Sequence, residues 1–543
     1  KIIFFFLFFL IITLVYSNYI LNSGHGPGDE QAFLKRFFTK GFFKYAVDGV
    51  SGMAARAVSH ILYALFFEFF NGGENIVTLI VSISWMTIVF FISLSLKRFV
   101  NKTTIFFFIL ICSFPFFVTT IFSSPIYVFS YAYSVLFWSI SLYLILKYSE
   151  KKKNIFYFLS LFFLTLGVFT IENLPSLLIL SIFLPTLNEL KNSNFDIKKF
   201  IKVSYFYVKP VLFISLFFLV FKYYIATLIT TEYYIYGTNI GPISIYQSLY
   251  YYFVILFEIP ILLYSTIYNI NNLKYIFLKL IILILIIFIF KNDKKFIKFE
   301  KKNKNFNLYF VNIIFLSLAS GSIIFAISGF PSSSFGYFNK LMIPTFVLYS
   351  ILFSMFLNFL IKKKYKVVIY PLILLWILSF NIQLDNFVEA KKIREKVLND
   401  LTNEFNKNNI STINLIANVP LFLKNNYNNE NVFNYSTLIP NYFNYKHNID
   451  IKNFWLLNDR RIKKNYQPKE NLKNLINLFE NNVIYYYYQY EEGEKNYKFE
   501  ILTGKQEIIK KLKSLEENSI NSSDIILNER IRGFFKGLYF NKF

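Results

Sequence analysis

Apolar stretches of about twenty residues recur along this chain, and they bound its fold more tightly than any other feature. A bilayer core is about 30 Å thick and a helix rises about 1.5 Å per residue, so one crossing takes about 20 apolar residues. Runs of this kind lie near residues 1–21, 76–96, 104–122, 126–147, 154–170, 172–187, 210–229, 275–290, 308–328, 341–361 and 366–383. Of the 543 residues 55% are hydrophobic, and the mean hydropathy is +0.44. The cores of a soluble protein cannot hide that much apolar surface. The predicted fold class is an all-α polytopic membrane bundle of about eleven spans, with a C-terminal extracytoplasmic α/β domain.

In a soluble protein the net charge of +25 would point to nucleic acid. Its distribution argues otherwise. Basic residues gather between the apolar runs at Lys97, Arg98 and Lys102; at Lys151 to Lys153; at Lys191, Lys198, Lys199 and Lys202; at Lys291 to Lys304; and at Lys362 to Lys366. Cytoplasmic loops of membrane proteins collect lysine in this way, so the charge is read as topology and no nucleic-acid partner is expected. Counting crossings from a cytoplasmic Lys1 puts every cluster inside, provided that the apolar stretch Tyr246–Ile267 does not cross. Glu258 and Pro260 sit at its centre, and a full crossing would export the seven lysines between Lys291 and Lys304. It is expected to be re-entrant or interfacial.

The chain begins with Lys1 rather than Met, so a preceding segment is expected. Ser17 to Gly24 offers no small-x-small cleavage site, and the first run is read as a retained anchor. The only cysteine, Cys112, lies in an apolar run, which excludes an intramolecular disulfide framework and a thiolate metal site.

Two domains follow from this pattern: a membrane domain over 1–383, with its first outer loop at 22–75, and a soluble domain over 384–543. In the second, Ile393 to Asn408, Pro468 to Asn481 and Lys505 to Asn518 read as amphipathic helices. Thr412 to Ala417 and the tyrosine-rich Val483 to Tyr490 read as strands. No Ser-His-Asp spacing, phosphate loop or zinc spacing occurs there, and His447 is read as structural or surface.

Chemistry concentrates in the first outer loop. Asp29 and Glu30 follow a Gly-Pro-Gly turn directly after a membrane run, and Lys35, Arg36, Lys40, Lys44 and Arg56 come after them. An acidic pair can serve as general base or hold a divalent cation, and fixed cations stabilise a leaving phosphate. The plainer reading is that Asp29 and Glu30 cap a helix beginning at Gln31. His25 and His60 in the same segment are accessory candidates, although a loop histidine is more often only solvated. Glu68 lies in the apolar stretch Ile61–Phe70, facing a cavity or the headgroup layer.

Gly28-Asp29-Glu30-Gln31-Ala32-Phe33-Leu34 is similar to the acidic signature of the GT-C superfamily of membrane glycosyltransferases. Protein O-mannosyltransferases and the lipid A aminoarabinose transferases share its layout. Lys340-Leu341-Met342-Ile343-Pro344 resembles the Arg-x-x-x-Pro that opens a late span in those enzymes, with Lys in place of Arg. Thr170 to Pro175 occupies the place of a further polar motif but matches it less well; the family's second acidic motif has no clear counterpart, and Glu172 and Glu232 are the candidates to stand in for it. The resemblance covers residues 1–383.

It implies an integral enzyme of a bacterial plasma membrane, with active site and C-terminus on the non-cytoplasmic side. The donor would be a polyprenyl-phosphate-linked sugar, and the acceptor a glycan, lipid or protein. Asp29 would act as base with Glu30 beside it, and Arg56 and Lys340 would hold the donor phosphate, with inversion at the sugar. A divalent cation is a candidate cofactor. The alternatives are a polysaccharide polymerase or ligase, and a lipid-linked glycan transporter or flippase. The first usually has a large late outer loop, whereas Phe330 to Lys340 is short; the second calls for repeats and for charges deep in several spans, whereas these spans carry few charges, with Lys222, Lys279 and Glu258 as the candidates.

Overall fold

Ten of the eleven apolar runs coincide with helices. The computed structural model describes residues 2–21, 37–47, 56–70, 74–115, 127–171, 174–191, 197–225, 304–321, 342–362, 365–419, 438–457, 484–490, 497–503 and 505–511. The run at 275–290 and the stretch Tyr246–Ile267 lie outside them. The described residues are 84% helical. The chain divides into two compact units, one of Lys1–Asn22 with Lys40–Asp385 and one of Ser23–Thr39 with Asn386–Phe543.

In chain order the helices are α1 (Ile2–Leu21), α2 (37–47), α3 (Ala57–Phe70), α4 (Glu74–Leu96) and α5 (Lys102–Cys112). A π-helical turn, Val128–Ala132, leads into α6 (Tyr133–Lys151), followed by α7 (Asn154–Thr170), α8 (Pro175–Leu190) and α9 (Ile197–Val220). Next come α10 (Lys304–Ser320), α11 (Ile343–Lys362) and α12 (Lys366–Lys407). Among the described residues five helices are long and apolar enough to cross a bilayer: Ile76–Leu96, Val128–Lys151, Ile197–Val220, Ile343–Ile361 and Val367–Lys407. Their exteriors are apolar as well. On α9 only the stripe Ser204, Tyr207, Val211, Ile214 and Phe218 is buried, at helical spacing, while Phe213 is 72% exposed. Such a surface is stable against acyl chains and not against water. These helices mark a membrane protein.

Within the run predicted over 104–122, α5 ends at Cys112, because Pro115 follows three residues later and disfavours helix in the residue before it; residues 116–122 lie outside the described ones. Indoles receive the end of this short helix. Trp85 Nε1 donates to the Cys112 carbonyl at 2.9 Å, and Trp376 Nε1 donates to Phe114 at 2.8 Å. Trp138 Nε1 likewise donates to Leu177 O and Ser181 Oγ at 3.0 and 2.9 Å, joining α6 to α8. Packing of α6 on α7 is tight at Gly167, where an added Cβ would lie 3.1 Å from the Ser134 carbonyl oxygen.

The last membrane run and the first tail helix are one element. The 42 residues of α12 extend about 63 Å. The sequence between the two predicted segments, 384–392, holds no Gly or Pro to stop it. Beyond it a four-stranded sheet has the order β2-β1-β3-β4, built from β1 (Thr412–Asn418), β2 (Asp450–Leu457), β3 (Ile484–Gln489) and β4 (Lys498–Thr503). β1 is parallel to β2 and to β3, and β4 returns antiparallel, pairing Ile484 with Thr503. The core lies between this sheet and helices. Val397, Leu401 and Phe405 of α12 meet Leu415 and Ala417 of β1, Phe443 of α13 (Leu438–His447), and Tyr488. A short last helix covers residues 505–511.

Candidate functional site

The membrane unit has two chemically different ends. At one end the basic turns converge. Arg98 pairs with Glu150 at 2.6 Å, Lys191 Nζ donates to the Arg98 carbonyl at 3.3 Å, and Glu189 accepts from both Lys152 and Tyr207. Asn101 Nδ2 donates to Asn358 Oδ1 at 3.4 Å, and Phe99 stacks on Phe310 at 5.3 Å, so α10 and α11 share this end.

The opposite end carries the first-loop helix α3, seated on the π-helical turn and on the last turn of α7. Ser59 Oγ donates to the Thr170 carbonyl at 2.5 Å, and the Tyr63 hydroxyl bonds to Ser130 Oγ. Ser59 and Tyr63 lie four residues apart on one face of α3, which brings both to the seam. His60 is 3% exposed, with its ring between Tyr45 and Tyr63 at centroid distances of 5.6 and 5.5 Å. Arg56 is half-buried at the head of α3, where its carbonyl accepts the His60 N–H at 3.1 Å. The π-helical turn widens the backbone where Ser130 projects, and such turns recur at functional sites. Imidazole, phenol and the Ser59 and Ser130 hydroxyls thus line one seam, with Arg56 at the head of the same helix; these are residue types that hold hydroxyl and phosphate oxygens.

Of the predicted site residues the structure describes Arg56 and His60, which lie four residues apart at the head of α3 and share its first-turn backbone hydrogen bond. Asp29, Glu30, His25, Glu172, Glu232 and Lys340 lie outside the described residues. Among the described residues no three or more His, Cys, Asp and Glu side chains are placed so that they could hold a metal ion. Glu68 is exposed on α3, and the His447 ring packs 5.5 Å from both Tyr442 and Phe443, a structural place.

Ser59, Tyr63 and Ser130 are not legible from residue type; the i, i+4 pair on α3 is the one signal for the first two, whereas nothing in Val128–Ala132 announces a π turn. Lys391 and Arg394, each 1% exposed on α12, are likewise not legible from residue type. They sit on the stripe that carries Val388, Val397, Leu398 and Leu401, so helical spacing placed them facing inward.

Comparison with protein-family models, with curated proteins and with solved structures finds no match.

Proposed function

We propose that this chain is a membrane glycosyltransferase that moves a sugar from a polyprenyl-phosphate-linked donor to an acceptor hydroxyl on the non-cytoplasmic face. The observation that carries the reading is the division of chemistry between the two ends of the membrane unit. Lysine-rich turns gather at one end, and at the other lie Arg56, His60 and Tyr63, in the loop segment that follows Asp29 and Glu30 in sequence, with Tyr63 bonded to Ser130 of the π-helical turn. Cation-rich turns favour the cytoplasm, which leaves the second end for the outer face.

In the reaction the acceptor oxygen attacks the anomeric carbon while the bond from that carbon to the phosphate oxygen breaks. The hydroxyl proton passes to Asp29, and polyprenyl phosphate leaves as an anion. Glu30 orients the acceptor, and would be the residue to hold a divalent cation if one binds. Arg56 and Lys340 bear the charge that gathers on the phosphate, and a single displacement inverts the sugar. The resemblance of Gly28 to Leu34 and of Lys340 to Pro344 to the GT-C pattern supports the same assignment.

The test is loss of a glycan modification in cells, with the membrane level of each variant measured in parallel. Asp29→Asn keeps size and hydrogen bonding but removes the base, so transfer falls about a hundredfold or more. Lys340→Ala weakens donor handling, and Lys340→Arg keeps more activity because the charge survives. Full activity of a stably inserted Asp29→Asn protein reduces the acidic pair to a helix cap and favours a transporter.

A further inference from the structure

From the lysine-rich end, α7 and α9 run side by side. Tyr157 and Phe206 meet at 5.7 Å near that end, and Phe169 and Phe218 meet at 5.3 Å near the other. Tyr148 of α6 completes the near cluster, 5.1 Å from Tyr157 and 6.1 Å from Phe206. Aromatic rings with a polar edge collect at the headgroup layer of a bilayer.

Three exposed lysines share the faces that carry these rings. Lys153 precedes Tyr157 by four residues, while Lys199 and Lys202 precede Phe206 by seven and four. They form no ion pair among the described residues. Glu150 and Glu189, the carboxylates described at that end, are already engaged by Arg98 and Lys152. Farther along, both helices turn large apolar side chains outward: Phe158 and Phe162 on α7 are 65% and 57% exposed, and Phe213 and Leu216 on α9 are 72% and 60% exposed.

We propose that this surface binds an anionic phospholipid, with Lys153, Lys199 and Lys202 on its headgroup phosphate and its acyl chains along α7 and α9. Unspent positive charge selects a net negative headgroup over a zwitterionic one, and the apolar track distinguishes a lipid from free phosphate. This surface is separate from the residues proposed for sugar transfer.

The full chain, purified in neutral detergent, is titrated with phosphatidylglycerol, phosphatidylcholine or inorganic phosphate. Thermal unfolding midpoint and retained lipid by native mass spectrometry are the readouts. Phosphatidylglycerol is expected to raise the midpoint and stay bound, with little effect of the other two. Replacing all three lysines by Gln weakens phosphatidylglycerol binding about a hundredfold, from roughly fivefold for each lysine. The corresponding Arg triple retains binding, and Lys44→Gln leaves it unchanged. Equal response to phosphatidylcholine or to inorganic phosphate by the unaltered protein overturns the proposal, as does a Gln triple that binds as tightly as the parent.

Discussion

The indole of Trp376 on α12 donates to the backbone carbonyl of Phe114 at 2.8 Å, just beyond the end of α5. Trp376 is 2% exposed and Phe114 4%, so water does not replace this bond. A helix that stops inside an apolar bundle leaves carbonyls without intrahelical donors, and here tryptophans from two neighbouring helices supply them.

Trp376→Phe keeps an aromatic ring and removes the donor. Leaving a buried carbonyl unsatisfied costs about 1–3 kcal/mol, with some further loss of packing volume. Unfolding of the purified protein by graded SDS, followed by tryptophan fluorescence, should show the loss. An unchanged midpoint would mean that the hydrogen bond contributes nothing net.

Gly167→Leu should disrupt the seam between α6 and α7. An added Cβ already lies 3.1 Å from the Ser134 carbonyl oxygen and 3.2 Å from Leu174 Cδ1, so a larger side chain forces the helices apart. Gly167→Ala requires a shift of only a few tenths of an ångström and should be milder. Membrane-inserted yield and detergent stability rank the two; a Leu variant as stable as Ala would refute the close contact.

Much of this architecture is legible in the sequence because a membrane helix is a long signal. Ten runs fall on helices, and β1 and β3 fall within a residue or two of the strands expected. What escaped was short or local. β2 has only Ile451 apolar among its first four residues and then four apolar residues in a row, and β4 is six residues of mixed character, so neither shows a clean alternation. α13 contains Pro440 and three asparagines or lysines in ten positions that read as loop. The candidate site divides in the same way: Arg56 and His60 were visible as residue types, whereas the Ser59–Thr170 and Tyr63–Ser130 bonds join positions 111 and 67 residues apart.

The Tyr488 hydroxyl donates to Asp400 Oδ2 at 2.9 Å in the second unit. Burial holds the Asp400 carboxyl above its ordinary value of 3.8, and burial, with the Asp400 charge behind it, pushes the Tyr488 phenol above its ordinary value of 10.0. For both acids the folded state keeps its proton to higher pH than the unfolded state. Stability is therefore full below the ordinary value and falls as pH rises above it: from 3.8 upward for Asp400 and from 10.0 upward for Tyr488. Asp400→Asn retains an acceptor for Tyr488 and should flatten the pH dependence of unfolding in the acid range. Tyr488→Phe should reduce the alkaline fall. Chemical unfolding of the full chain across pH measures both, and parallel curves for variant and parent would count against the assignment.

Sidedness is the last expectation, and the native thiol makes it clean to measure. Cys112 is 1% exposed and is the only cysteine, so an impermeant maleimide reports on introduced sites alone. Lys153→Cys lies at the end where Arg98, Lys152 and Lys191 gather, and should label only after the cells are permeabilised. Lys44→Cys, exposed on α2 in the first outer loop, should label in intact cells. Asn292→Cys tests the stretch Tyr246–Ile267: seven lysines between Lys291 and Lys304 hold that loop inside only if the stretch does not fully cross. Labelling of Asn292→Cys in intact cells would make Tyr246–Ile267 a complete span. Labelling of Lys153→Cys in intact cells would invert the bundle, and Arg56, His60 and the acidic pair would then face the cytoplasm, where the proposed outer-face transfer has no acceptor.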